Sequence, residues 1–128
     1  MDLEKLFLTR QSTREFSDET VTDGQLERIC RLATLAPSAI NGQPYRLYAI
    51  NGGKAKKFIP NIMVNGANKW ADGVSAFIVI EQAAPYTVQR GTRTITNEQF
   101  IGNDIGILTA YITLAAEDMG VQSCIVGL

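Results

Sequence analysis

FIGNDIGILTAYITLAAEDMG (100–120) is the stretch that organises the rest of the chain. Ile105, Leu108, Ile112 and Ala115/Ala116 recur at helical spacing, which predicts one long helix from Phe100 to Met119 with an apolar face. Gly120 ends it, because glycine readily takes the left-handed conformation that closes a helix. Asp104, near its start, reads as the residue that caps it. VQSCIV (121–126) then begins a strand. Upstream, FIVIEQ (77–82) is a continuous apolar run, the pattern of a central strand covered on both faces. A long amphipathic helix beside such a strand implies helices packed on a sheet.

Further towards the N-terminus, YRLYAI (45–50) has the aromatic and β-branched content of another strand, stopped by Asn51-Gly52-Gly53. Tyr45 and Tyr48 should divide between core and surface. Lys54 to Phe58 reads as a short helix before Pro60, and residues 61–68 carry no clear pattern. Thr22 and Gln25 form a T-x-x-Q capping box. They open a helix with Leu26, Ile29, Cys30 and Ala33 on its apolar face, which Pro37 closes. Leu3, Leu6 and Phe7 predict a short helix over 2–9. Residues 83–98, polar and rich in threonine, read as a loop. The order is helix, helix, strand, short helix, strand, long helix, strand, which is an α+β domain with helices on a central sheet.

The 128 residues suit one domain, 1–128, and 45% hydrophobic with 20% charged residues is an ordinary globular composition. A net charge of −1 gives no reason to expect nucleic acid or an anionic membrane as partner. No apolar run approaches the ~18 residues of a membrane span, and the acidic, amphipathic N-terminus MDLEKLFLTR does not suit a secretory signal. Cys30 and Cys124 lie far apart in apolar runs, as buried thiols of a reducing compartment do, so a cytoplasmic location is expected. The chain holds no histidine. That excludes Ser-His-Asp and Cys-His nucleophiles and leaves no basis for expecting a metal site. Any chemistry is then that of a bound organic cofactor.

Two segments carry polar groups suited to such a cofactor. In Arg10-Gln11-Ser12-Thr13-Arg14, two guanidinium groups four residues apart with hydroxyls between them can clamp a phosphate. Taken alone, the group fits solvated arginines paired with Glu15 or Asp18 better than a phosphate clamp. Ala36-Pro37-Ser38-Ala39-Ile40-Asn41-Gly42-Gln43-Pro44 offers backbone N–H groups, a hydroxyl and two amides, which suit the edge of a heterocycle. A plain helix-to-strand connection would explain its prolines and glycine but would not require Ser38, Asn41 and Gln43 together. Trp70 reads as a packing residue, and Glu81 and Gln82 as exposed.

R-x-S-x-R-x-F followed about 25 residues later by A-P-S-x-x-N-x-Q-P, then an aromatic-rich strand, resembles the nitroreductase family of flavoproteins. Asn68-Lys69-Trp70, Asp104-Ile105-Gly106, Leu114-Ala115-Ala116-Glu117-Asp118-Met119-Gly120 and Gln122-Ser123-Cys124-Ile125-Val126-Gly127 agree with it in order, so the resemblance covers essentially the entire chain. It implies a mostly antiparallel central sheet flanked by helices. It also implies an FMN-dependent oxidoreductase that uses NADH or NADPH to reduce nitroaromatic or quinone-type acceptors by ping-pong hydride transfer, with no catalytic side chain because the flavin carries the chemistry. Arg10, Gln11 and Ser12 match phosphate and ribityl contacts, and Arg14 a basic position at the pyrimidine edge of the ring. Pro37, Ser38 and Asn41 match a loop supplied by the other subunit, which implies a homodimer with two sites at its interface. Asn68 and Lys69 fall near ring contacts, and Val126, Gly127 and Leu128 at a turn facing the flavin. The family's C-terminal segment has no counterpart here, so the sequence is expected to be the N-terminal part of a longer chain. The resemblance also admits a relative with a different flavin reaction (dehalogenation, flavin fragmentation or dehydrogenation), or a truncated non-catalytic flavin-binding or dimerisation module.

Overall fold

The computed structural model describes residues 2–127. Four α-helices and four strands form among them: α1 (Leu3–Thr9), α2 (Asp23–Ala33), β1 (Tyr45–Asn51), α3 (Gly52–Phe58), β2 (Ala76–Gln82), β3 (Thr87–Arg90), β4 (Arg93–Thr96) and α4 (Ile101–Asp118). The capping box forms as the sequence predicts. Thr22 Oγ1 accepts from Gln25 N–H at 3.2 Å, and Gln25 Oε1 accepts from Thr22 N–H at 2.9 Å. Two donors at the start of α2 are thereby satisfied reciprocally.

The core lies where α2 crosses α4. Ile29, Ala33, Ala36, Leu108, Ile112 and Ala116 are buried together, and Tyr45, Leu47, Ile78 and Ile80 close over them from the sheet. β1 and β2 pair antiparallel from Tyr45↔Gln82 to Asn51↔Ala76. Leu47 and Ile80 therefore stand opposite each other on the face turned to α2 and α4. The other face carries Phe77, whose ring meets Phe58 of α3 at 5.1 Å. β2 is only partly covered: its residues 76–80 stay half-accessible and among the described residues it pairs with β1 alone, so the central strand covered on both faces that its unbroken apolar sequence suggests does not form. Tyr45 packs on the core while Tyr48 lies on the surface.

Three further expectations are corrected. Residues 83–98 are not simply a loop: Thr87↔Thr96 to Arg90↔Arg93 pair as a hairpin turned at Gly91-Thr92, with Gly91 at φ +62°. Residues 121–126 do not form a strand; they make one parallel bridge, Ser12↔Ser123. An apolar run extends into a ladder only if a partner runs beside it, and here Ser12 is the partner residue. Asp104 does not cap α4. Phe100 occupies the cap position with no side-chain bond, and the Asp104 carboxylate is committed elsewhere. The α+β class stands, with its sheets antiparallel and two-stranded among the described residues.

The outer side of α4 is apolar too. Gly102, Gly106 and Ala110 are exposed beside Ile107 and Tyr111, which are 38% and 40% accessible. A helix apolar around most of its circumference is one that expects cover on both sides. No helix among the described residues is long and apolar enough to cross a membrane.

Candidate functional site

The polar segment after α1 is brought beside the segment after α4. Thr13 N–H donates to Ser123 O at 3.0 Å, and Thr13 Oγ1 to Gln122 Oε1 at 3.4 Å. This places Arg10, Gln11, Ser12 and Arg14 along the stretch that leads to Val126 and Gly127; Leu128 lies outside the described residues. Gln11, Ser12 and Arg14 are exposed and Arg10 half-buried. Among the described residues neither arginine forms an ion pair with Glu15 or Asp18; the pair that does form is Arg46 with Glu81 at 3.6 Å. Two guanidinium groups, unpaired among the described residues, with the Ser12 hydroxyl between them make a donor set that fits a phosphate, while the Thr13 hydroxyl is committed to Gln122.

The second segment is built differently. Residues 39–41 form a 3-10 turn in which Ile40 stands at φ 50° and Asn41 at φ 54°, with Gln43 at φ 43° just after. For a β-branched side chain such as Ile40 the left-handed region is a true outlier. Each such residue costs on the order of 1–3 kcal/mol and persists only where its surroundings over-determine it. The surroundings are a set of directed bonds. Ser38 Oγ accepts from Gln43 N–H at 3.0 Å, and Asp104 Oδ1 accepts from Ala39 N–H at 3.0 Å. Ser38 is half-buried, and Pro37 and Asn41 are exposed at the ends of the turn. The bonds of this loop run to α4, whereas those of residues 12–13 run to 122–123. The structure therefore places the two predicted halves of the site on different supports.

Asn68 and Lys69 belong to neither half by hydrogen bonding. Asn68, at φ 54°, donates from Nδ2 to Ile62 O at 2.9 Å, so its side chain holds a turn. Lys69 is exposed on the 3-10 segment that follows. Trp70 packs on Phe16 with ring centres 6.1 Å apart. Cys30 and Cys124 are free and half-buried rather than fully buried, and burial pushes the Cys30 thiol above its ordinary value. An open cleft of about 960 Å³ runs along β2, between Phe16 and Trp70 on one side and Val121–Val126 on the other. Of the predicted site residues it touches Val126.

Sequence reasoning missed Asn97, which is fully buried between the hairpin and the loop. Its Oδ1 accepts from Tyr86 N–H at 2.7 Å, and its N–H donates to Tyr86 O at 3.2 Å. Nothing in a threonine-rich stretch distinguishes this asparagine from a turn residue, and the only hint was Gly42 in the loop it abuts.

Residues 8–65 match the profile of the Nitroreductase family. This is a nitroreductase-family fold. A nitroreductase family protein from Clostridium novyi NT superposes with a TM-score of 0.74 at 21% identity, covering 99% of this chain and 70% of its own. An FMN-dependent nitroreductase from Clostridium difficile R20291 does so at 0.72 and 22%, covering 95% and 64%. By sequence the chain is 28% identical over 133 residues to the FMN reductase [NAD(P)H] of Bacillus subtilis (strain 168), which accounts for 96% of this chain and 53% of that protein. The chain spans about half the length of this curated relative.

Proposed function

We propose that the chain is the FMN-binding part of an NAD(P)H-dependent flavin oxidoreductase. The observation that carries this reading is the pairing of residues 12–13 with 122–123 within a nitroreductase fold, which brings the segment of Arg10 and Arg14, unpaired among the described residues, alongside the stretch that follows α4 and runs on to Val126 and Gly127. Arg10 and Arg14 hold the phosphate and the pyrimidine edge, with Gln11 and Ser12 on the phosphate and ribityl chain. Pro37, Ser38 and Asn41 cover the ring, with Asn68 and Lys69 at its margin. FMN held by these residues would supply hydride transfer between NADH or NADPH and a nitroaromatic or quinone-type acceptor. The chain's own share is binding and orientation: cations offset anionic charge, and the strained loop fixes donors before the cofactor arrives.

The working unit in this reading is a cytoplasmic homodimer, with the 36–44 loop of one subunit covering the flavin of the other. The outer face of α4 supports it: Gly102, Gly106 and Ala110 permit close approach, and Ile107 and Tyr111 supply apolar area that a partner helix would bury. The experiment is an absorption spectrum of the purified protein with size-exclusion chromatography. Flavin bands, FMN released on denaturation and a dimer-sized species are expected. A colourless protein that FMN does not reconstitute overturns the proposal.

A further inference from the structure

The loop 36–44 is gripped from two directions by buried polar side chains that touch none of the proposed cofactor contacts directly. From α4, Asp104, 4% accessible, accepts the Ala39 N–H at 3.0 Å. From the base of the β3–β4 hairpin, Asn97, fully buried, lies against Gly42. A Cβ on Gly42 would collide with Asn97 Nδ2 and come within 3.0 Å of its Cγ. Gly42 itself sits at φ −72°, ψ −21°, a conformation open to any residue. Glycine at 42 is therefore a matter of space, and Asn97 is what fills that space.

Neither polar residue is well explained by stability alone. Asp104 Oδ2 and Asn97 Nδ2 are both buried without a hydrogen-bond partner among the described residues. Buried groups left in this state cost free energy that an apolar residue of similar shape would not. What the two side chains do accomplish is local. Asp104 bonds Ala39 and Asn97 packs against Gly42, at the two ends of a turn whose Ile40 and Asn41 are in the left-handed region that L-residues rarely adopt.

We propose that Asp104 and Asn97 are positioning residues, a two-sided clamp that fixes the 38–42 turn in the shape presenting Pro37, Ser38 and Asn41. Its consequence for flavin rests on the function proposed above; the clamp itself does not. Asn97 also closes the hairpin through Tyr86, so the hairpin and the loop share one buried contact and a change in either is felt by the other.

The test is amide hydrogen exchange across residues 39–43 in the flavin-free protein, with FMN titration of the same variants. Asp104→Leu should speed exchange at Ala39 by about tenfold, the equilibrium weight of one hydrogen bond, and weaken FMN by a similar factor. Asp104→Asn, whose amide oxygen still accepts, should restore both. Gly42→Ala should speed exchange across the turn, and should do so far less when Asn97→Ala has already opened the space, a non-additivity that a generic loss of stability would not give. Parent-like exchange at Ala39 in Asp104→Leu, or a Gly42→Ala effect independent of residue 97, overturns the clamp. Looser exchange with unchanged FMN affinity overturns its link to the cofactor. If the parent protein fails to bind FMN, the proposed function falls while the exchange results still decide the clamp.

Discussion

The two halves of the candidate site differ in how they are held. The 36–44 loop is tied to the interior, by Asp104 on one side and Asn97 on the other, and it keeps three residues at positive φ. The 10–14 segment lies on the surface, joined to residues 122–123 by one bridge and one side-chain bond. One half is set before any ligand arrives; the other has free cations and little to order them. The rigid half fixes shape and the open half supplies charge. Changes in the first should register in stability and loop exchange as well as affinity, and changes in the second in affinity alone.

The largest effect should come from the shared foundation. Leu108, fully buried in the core under the loop, should cost about 2–5 kcal/mol on substitution by alanine, read by denaturant unfolding. If Arg10 pairs with the phosphate, Arg10→Ala should weaken FMN binding by roughly 1.5–3 kcal/mol by titration while leaving the unfolding midpoint in place. An equal loss of stability would erase the proposed division between the halves. Gly42→Ala should lower stability by about 1–3 kcal/mol through overpacking against Asn97. Gly127→Ala, where an added Cβ meets nothing within 4 Å, should be neutral in the same assay and so serves as the control from the open half.

The smallest effect lies away from both halves. Tyr48 Oη donates to Glu81 Oε2 at 2.7 Å on the exposed side of the sheet, and that bond, with burial and the carboxylate charge behind it, raises the phenol above its ordinary value. The proton is held more tightly in the folded chain. The interaction is therefore complete below the unfolded pKa of tyrosine and disappears as pH rises through the higher folded value. Ultraviolet titration should show Tyr48 ionising late, and Glu81→Ala should bring it back down.

Much of the frame was legible because its signals are local. Thr22 and Gln25 announce α2, the β-branched and aromatic runs 45–50 and 77–82 announce the sheet, and Gly120, at φ +71°, ends the long helix. The hairpin at 87–96 was hidden by its composition. Its turn signal is only Gly91-Thr92, and its strands are as polar as a loop because little of them is buried. The run 121–126 misled in the opposite sense, since apolar character does not say whether a neighbour lies alongside. In the site, residue types pointed to the two segments, but the support beneath the loop was not legible. Asp104 and Asn97 act across 65 and 55 positions of sequence to reach Ala39 and Gly42, and no spacing rule connects them.

β2 has a consequence for handling the protein. Its pairing partner is β1, and the cleft along it leaves the apolar run Ala76–Ile80 half-accessible. A β-branched strand that among the described residues has no strand partner on one side is a template for further strands, and the charge that would discourage them, Glu81, stands only at its end. Concentrated solutions of this chain should therefore gain intermolecular sheet with time. A lysine in place of Val79 should slow that growth.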